Sequence, residues 1–348
     1  MLATVTGAPG LRPVAVVVVV GVAYLFAVRA VDLNEKEPLW ALAVLFAAGA
    51  AGALAVALVV PPATLHLTVV PAALAQELAR LVALAAGLGV LGAAARWRGW
   101  SEVNGLVDGV VYGFAAGLGF AVGTVVVREI VLAPSAGAVG AGALRGGLWA
   151  SVWPTALYGL FHGVLGSLAG AGFGAAAGAR WRPVQALCLV AGLAGALAAH
   201  VGYLALSRGG AVGQPGALGR TWLALGLPLL VVALLLVVGL SRERRGIEEA
   251  LAGEDTTLGA VELRGLRRRL GHLRLLVSGR VDLWHAERVR HNRQVQLALL
   301  KRRAGRAADP ERRSRLEDEL GRLRQALGRA GAGDPQRAGT PIRPGPRW

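Results

Sequence analysis

Cysteine, methionine and charge are all scarce in this chain of 348 residues, which holds one Cys, one Met and only 17% charged side chains. With Cys188 as the sole thiol, a disulfide framework, a four-cysteine zinc module and a cysteine-ligated iron–sulfur cluster are excluded. The 50 glycines follow no three-residue period, which excludes a collagen-like chain. What remains is apolar: 55% of residues are hydrophobic and the mean hydropathy is +0.54. Soluble domains sit nearer ~45–50% apolar and ~25% charged. The excess must be buried in lipid, so the sequence reads as a membrane protein.

The formal net charge of +16 would suit a nucleic-acid binder, but it is unevenly placed. Residues 1–240 carry 12 of the 37 basic and 7 of the 21 acidic side chains, which leaves 25 and 14 for the rest. Two parts are therefore expected to join near Gly239, and nucleic acid is not an expected partner. A spanning helix needs about 20 mainly apolar residues. Such runs lie near Val14–Val28, Leu39–Val60, Thr68–Ala94, Val103–Val127, Gly147–Phe173, Val184–Leu206 and Trp222–Leu240. The expected fold is all-α: a polytopic transmembrane helix bundle of about seven spans with a C-terminal cytoplasmic helical extension. The first run is short; it lacks a basic cluster before it and a small-x-small cleavage site after it, which favours a retained helix over a signal peptide.

Basic residues in the short loops nearly balance on the two sides, and Arg242, Arg244 and Arg245 directly after the last span decide the orientation. The tail is expected in the cytoplasm, and with seven spans the N-terminus outside. The tail itself, 241–328, repeats leucines at helical spacing (Leu263, Leu266, Leu270, Leu273; then Leu316, Leu320, Leu323, Leu327). The second set has the stepping of a short coiled-coil seam, and Asp309-Pro310-Glu311 before it signals a helix start. A helical hairpin or three-helix unit is expected. Residues 329–348, rich in Gly, Pro and Arg without a period, are expected to be disordered, their arginines a solvated basic face or a contact with anionic lipid headgroups.

Glycines recur at four-residue spacing in the fourth run (Gly109, Gly113, Gly117) and again in the fifth (Gly159, Gly163, then Gly166, Gly170). Small residues on one face let helix backbones approach closely in lipid. These faces and the leucine seam are the two candidate surfaces for a homo-oligomer. Ionisable groups within spans are costly and mark function by default: Glu77 and Arg80 with Gln76 in the third run, Asp108 at the start of the fourth, His162 in the fifth and His200 in the sixth. Glu77 and Arg80 stand three apart, so a local ion pair is the plain alternative. At ~1.5 Å per residue, Glu77, His162 and His200 fall at one depth in the same half of the bilayer. A carboxylate and two imidazoles that converge suit Zn²⁺ or another divalent ion; two hydrogen-bonded packing histidines are the other reading.

Several stretches resemble the PrsW family of intramembrane proteases, which lies close to the prenyl-endopeptidase and bacteriocin-processing membrane proteins. Glu35-Lys36-Glu37-Pro38 is similar to the early loop of that family, and Gln76-Glu77-Leu78-Ala79-Arg80 to its Glu-Glu pair followed by a basic residue. Asp108-Gly109-Val110-Val111-Tyr112-Gly113, running on to Gly117-Leu118-Gly119-Phe120-Ala121, is the most specific match. His162 followed by Gly170, Gly172 and Gly174, and His200 with Tyr203, resemble the two histidine helices; Gln296 to Arg302 resembles the cytoplasmic extension of actinobacterial members. Three positions depart from the pattern: Gln76 replaces one glutamate, Thr124 and Val125 stand where Glu-Asn is usual, and Leu204 stands where an asparagine commonly follows the second histidine.

The resemblance implies metal-assisted cleavage of a single-pass membrane protein, with Glu77 activating water or binding metal, His162 and His200 binding a divalent metal such as zinc, and Gln76 bonding substrate or water. With one glutamate left, Glu77 can be ligand or base but hardly both; Glu102 and Glu129 are replacement carboxylates at span ends. The departures leave open a pseudoprotease that binds membrane proteins, carries no metal and reports through its tail, and a small transporter or ion pathway along Glu77, Arg80 and Asp108. Membrane lipid is a partner in every case. Arginine-heavy, lysine-poor usage points to a bacterial plasma membrane.

Overall fold

The structure, a computed structural model, describes residues 11–31, 37–59, 69–98, 105–127, 147–208, 217–251, 293–301, 304–305 and 310–331. Glu102 and Glu129, the leucines from Leu263 to Leu273, Asp309 and the terminus from 332 onward lie outside the described residues. Among the described residues all regular structure is helical. Seven helices come first: α1 (Leu11–Val31), α2 (Leu39–Val59), α3 (Val69–Arg98), α4 (Leu106–Val126), α5 (Gly147–Gly178), α6 (Arg182–Arg208) and α7 (Ala217–Leu251). A helical run at 293–301 and α8 (Pro310–Gly331) follow. The described residues fall into two compact units that divide after Gly239.

Among the described residues six helices are long and apolar enough to cross a membrane: Leu39–Val59, Val69–Ala94, Leu106–Val126, Thr155–Gly178, Arg182–Leu206 and Leu223–Leu251. The protein is a polytopic helical bundle. The apolar stretch of α1, Val14–Arg29, is shorter than the others, yet it is built into the bundle. Val17 is buried against Val122 and Val125, and the Tyr24 hydroxyl donates to the Ala156 carbonyl at 3.2 Å. Helix starts follow local chemistry. Pro38 has no N–H to leave unpaired, and its carbonyl receives the Ala41 and Leu42 amides at 3.0 and 3.4 Å, opening α2. Pro183 sits in the first turn of α6, where its fixed φ suits the helix, and Gln185 Nε2 donates to the Ala179 carbonyl at 2.9 Å to close the α5–α6 turn.

Helix α4 is the axis of the bundle: 89% of its apolar stretch is buried, against 11% for that of α6. It packs on α5, α2 and α1, so its apolar surface is buried in protein rather than in contact with lipid. Its glycines supply the close approach. A Cβ added at Gly109, Gly113 or Gly117 would collide with the backbone carbonyls of Gly170, Gly166 and His162 in turn, and one at Gly119 with that of Phe46. The matching glycines of α5, Gly166, Gly170 and Gly174, meet the backbone of α4 in the same way. The glycine faces of α4 and α5 are thus buried on each other within one chain. By contrast α6 and α7 expose Leu187, Val190, Leu223, Leu227, Leu230 and Leu234, the apolar surface expected of lipid-facing spans.

The second unit begins within α7. The helix passes Ser241, where the sequence turns from apolar to charged, and runs on to Leu251. The stretch Arg242 to Ala250 contains no helix breaker other than Gly246, which costs a helix only ~1 kcal/mol. Ile247 packs with Val295 and Ala298. Leu297, Leu300 and Ala304 pack with Leu320, Leu323 and Leu327, with Leu316 and Leu251 at the margin. The leucine seam of α8 is therefore filled by the chain's own helical segment.

Substitution of Gly113 by Val is expected to lower the unfolding temperature in detergent markedly. Overpacking typically costs ~1–3 kcal/mol, and here the obstacle is backbone, which cannot rotate away. Gly195→Ala, at a position where an added Cβ meets nothing within 4 Å, is expected to be neutral or to stabilise by up to ~1 kcal/mol. Equal loss of stability in both variants, read by circular dichroism, would contradict the packing described.

Candidate functional site: a buried charged centre

Three spans each bring polar groups to one point. Helix α3 contributes Glu77 and, one turn on, Arg80; α5 contributes His162; α6 contributes His200. All four are buried, with relative exposures of 1%, 0%, 2% and 2%. Helix α4 contributes no charge here but makes the meeting possible. Gly117 lies against the backbone of His162, and the Phe120 ring lies under the Arg80 guanidinium, 4.7 Å from its centroid. A cation over an aromatic face is attracted by the ring quadrupole, more so without water.

The bonds run as a chain. Arg80 Nη1 donates to Glu77 Oε1, Arg80 Nη2 lies 2.7 Å from His162 Nδ1, and His200 Nδ1 lies 2.6 Å from Glu77 Oε1. Arginine has donors only, so His162 Nδ1 must accept, and the ring hydrogen of His162 sits on Nε2. The carboxylate held by Arg80 accepts, so His200 donates from Nδ1, and Nε2 is its remaining ring nitrogen. The two imidazole rings are 5.8 Å apart between centroids and nearly perpendicular, at 89°. Around them, Tyr158 and Phe161 meet His162 edge-on at 4.4 and 5.4 Å, and Phe161 stacks on Tyr203 at 4.0 Å. Two buried polar atoms of the centre have no hydrogen-bond partner among the described residues: Glu77 Oε2, an acceptor, and Arg80 Nε, a donor.

Of the residues singled out from the sequence, Glu77, His162 and His200 are brought together. Gln76 is half-buried on the turn beside them and takes no part in the bonds described. Asp108 is buried in the first turn of α4, roughly 13 Å along the axis from Gly117, outside this centre. Thr124 returns its hydroxyl to the Phe120 carbonyl of its own helix at 2.8 Å. The local ion pair of Glu77 and Arg80 exists, but sequence reasoning missed that the same guanidinium reaches His162, and it missed the aromatic wall. The wall had a signal in Tyr158 and Phe161, one turn before and adjacent to His162. A second buried contact, from the Tyr112 hydroxyl to Glu37 Oε2, joins two noted motifs across 75 positions, with Arg29 Nε bonded to the Glu37 carbonyl at 2.9 Å.

Residues 37–238 match the family model of the PrsW family intramembrane metalloproteases. That is more than half of the chain and takes in all four residues of the centre. The chain belongs to the PrsW family. No curated protein matches it, and no solved structure matches it.

The family description implies a divalent metal, which can be tested against the donors present. A catalytic zinc site uses three protein ligands facing one open position. Among the described residues no group of three or more His, Cys, Asp or Glu side chains is arranged to hold a metal ion. The reason is local. His200 Nε2 and Glu77 Oε2 offer lone pairs, and His200 has the carboxylate-bonded Nδ1 typical of metal-ligating histidines, but Arg80 occupies His162 Nδ1 and leaves a hydrogen on the other ring nitrogen. The arrangement of this PrsW-family centre does not fit a three-ligand cation.

Glu77→Gln removes the carboxylate bonded to Arg80 in this centre. The variant is expected to lose about 3–5 kcal/mol of stability, measured by denaturant or thermal unfolding in detergent. Combining it with Arg80→Met, which removes the stranded charge, is expected to restore most of the loss. A Glu77→Gln variant as stable as wild type would show that the pair does not hold these helices together.

Proposed function

We propose that this protein acts inside a bacterial plasma membrane on single-pass, membrane-anchored proteins as an intramembrane peptidase, with its C-terminal unit on the cytoplasmic side. Membership of the PrsW family supports protease-like work within the membrane. The observation that carries the reading is the unpartnered pair, Glu77 Oε2 and Arg80 Nε, within one buried centre. An unsatisfied buried polar group costs ~1–3 kcal/mol, and such groups are kept where a water or a reacting chain completes them. A peptide unit and a water molecule both bring the donors and acceptors required.

The chemistry follows from the bonds. Glu77 Oε1 holds His200 by Nδ1, which orients Nε2 as the atom to accept a proton from an attacking water and return it to the leaving amide nitrogen. General acid–base catalysis of this kind contributes ~10²–10⁴-fold. Arg80 Nε is a donor for negative charge developing on the scissile carbonyl oxygen. Gln76, on the neighbouring position of α3, bonds the client backbone at the entrance to the centre. The lipid-facing surfaces of α6 and α7 are where a client helix would arrive from the bilayer.

A second reading, a client-binding pseudoprotease that reports through the tail unit, is favoured by one observation: Arg80 takes His162 out of any ligand set. The two readings separate in vesicles. The purified protein is reconstituted with a library of single-pass segments tagged at both ends, and a photocrosslinker replaces Gln76 in a parallel preparation. Peptidase action predicts cleaved reporters, with His200→Ala and Glu77→Gln slowing cleavage at least ~100-fold while crosslinks to the reporter persist. Crosslinks without cleavage in the wild type would establish the binding role, and absence of both would reject the two readings together.

A further inference from the structure

We propose that Arg80 is the resident cation of the centre: its guanidinium takes the place of a divalent metal between Glu77 and His162, so that the native protein binds no metal there, and removal of the arginine charge creates a metal site. The inference concerns what balances charge in the centre and stands apart from whether peptides are cut.

The argument begins with charge. Glu77 is an anion in a region where water cannot solvate it, and some cation has to meet it there. Arg80 does so from one turn away on the same helix, fully buried and with its charge held on three sides: by Glu77 Oε1, by His162 Nδ1 at 2.7 Å and by the Phe120 ring. A second cation placed beside it would face the guanidinium without solvent screening, with one carboxylate to share between them. The second strand is hydrogen-bond polarity. Because the guanidinium can only donate, it consumes the lone pair of His162 and fixes the ring with hydrogen on Nε2, so neither nitrogen can ligate. Without that donor, His162 is free to turn a lone pair towards His200 Nε2 and Glu77 Oε2. The rings are already 5.8 Å apart between centroids, a separation that two imidazoles on one ion reach with a modest rotation, and the outcome is the three-ligand set of a zinc site. Position 80 alone decides which cation the centre holds.

The test uses the full chain in detergent, stripped with chelator, dialysed against Zn²⁺ and then against metal-free buffer, with bound zinc read by mass spectrometry. Wild type is expected to retain none, and Arg80→Gln about one equivalent. Adding His162→Ala to Arg80→Gln is expected to lose it, and zinc is expected to raise the unfolding temperature of Arg80→Gln but not of wild type. Arg80→Met replaces the glutamine variant if that one fails to elute as a folded species. Stoichiometric zinc in the wild type that Glu77→Gln or His162→Ala removes would overturn the proposal, as would a folded Arg80 variant that takes up no metal. The wild-type measurement is decisive even if neither variant folds, since retention of the ion refutes a resident guanidinium and its absence supports one. Failure here is read from the metal content of wild type and variant, whereas failure of the peptidase reading shows as uncut reporter.

Discussion

The bundle is built on backbone contact between helices α4 and α5. In lipid there is little hydrophobic drive between helices, and association relies on close packing. Gly109, Gly113 and Gly117 provide it by presenting bare backbone to Gly170, Gly166 and His162. The same approach carries His162 inward to α3 and holds Phe120 beneath Arg80. One larger side chain at Gly117 would push the α5 backbone outward at the very residue that bonds the guanidinium. The polar centre is thus a consequence of the apolar packing.

Charge then determines what the centre is. A carboxylate, a guanidinium and two imidazoles are expensive in a low-dielectric interior, and each is tolerated because another satisfies it. Glu77 Oε1 serves Arg80 and His200 at once, and Arg80 serves Glu77 and His162. The bonds link all four side chains, and among the described residues Glu77 Oε2 and Arg80 Nε are buried without a partner, an acceptor and a donor of the sort a polypeptide or a water supplies. The stretch that matches the PrsW family, residues 37–238, includes this centre.

The tail obeys different physics. Its helices are amphipathic, and the C-terminal end of α7, the run at 293–301 and α8 bury their apolar stripes against each other through Ile247, Leu297, Leu300, Leu320, Leu323 and Leu327. Continuity of α7 through Ser241 makes one helix common to both chemistries.

Hydropathy alone determined the membrane class, the number of long spans, the change of character near Gly239 and the leucine stripe of α8, because each depends on composition within a single helix. Depth along the helix, at a constant rise per residue, was also enough to place Glu77, His162 and His200 at one level. Rotation about the helix axes and the partners of each atom were decided by tertiary structure. Arg80 stands three positions from Glu77 and so read as a purely local partner, while its bond to His162 spans 82 positions. The link from Glu37 to Tyr112 was likewise invisible, since no periodicity within one segment encodes which face of another it meets. Only the folded bundle shows that the Arg80 guanidinium lies between Glu77 and His162.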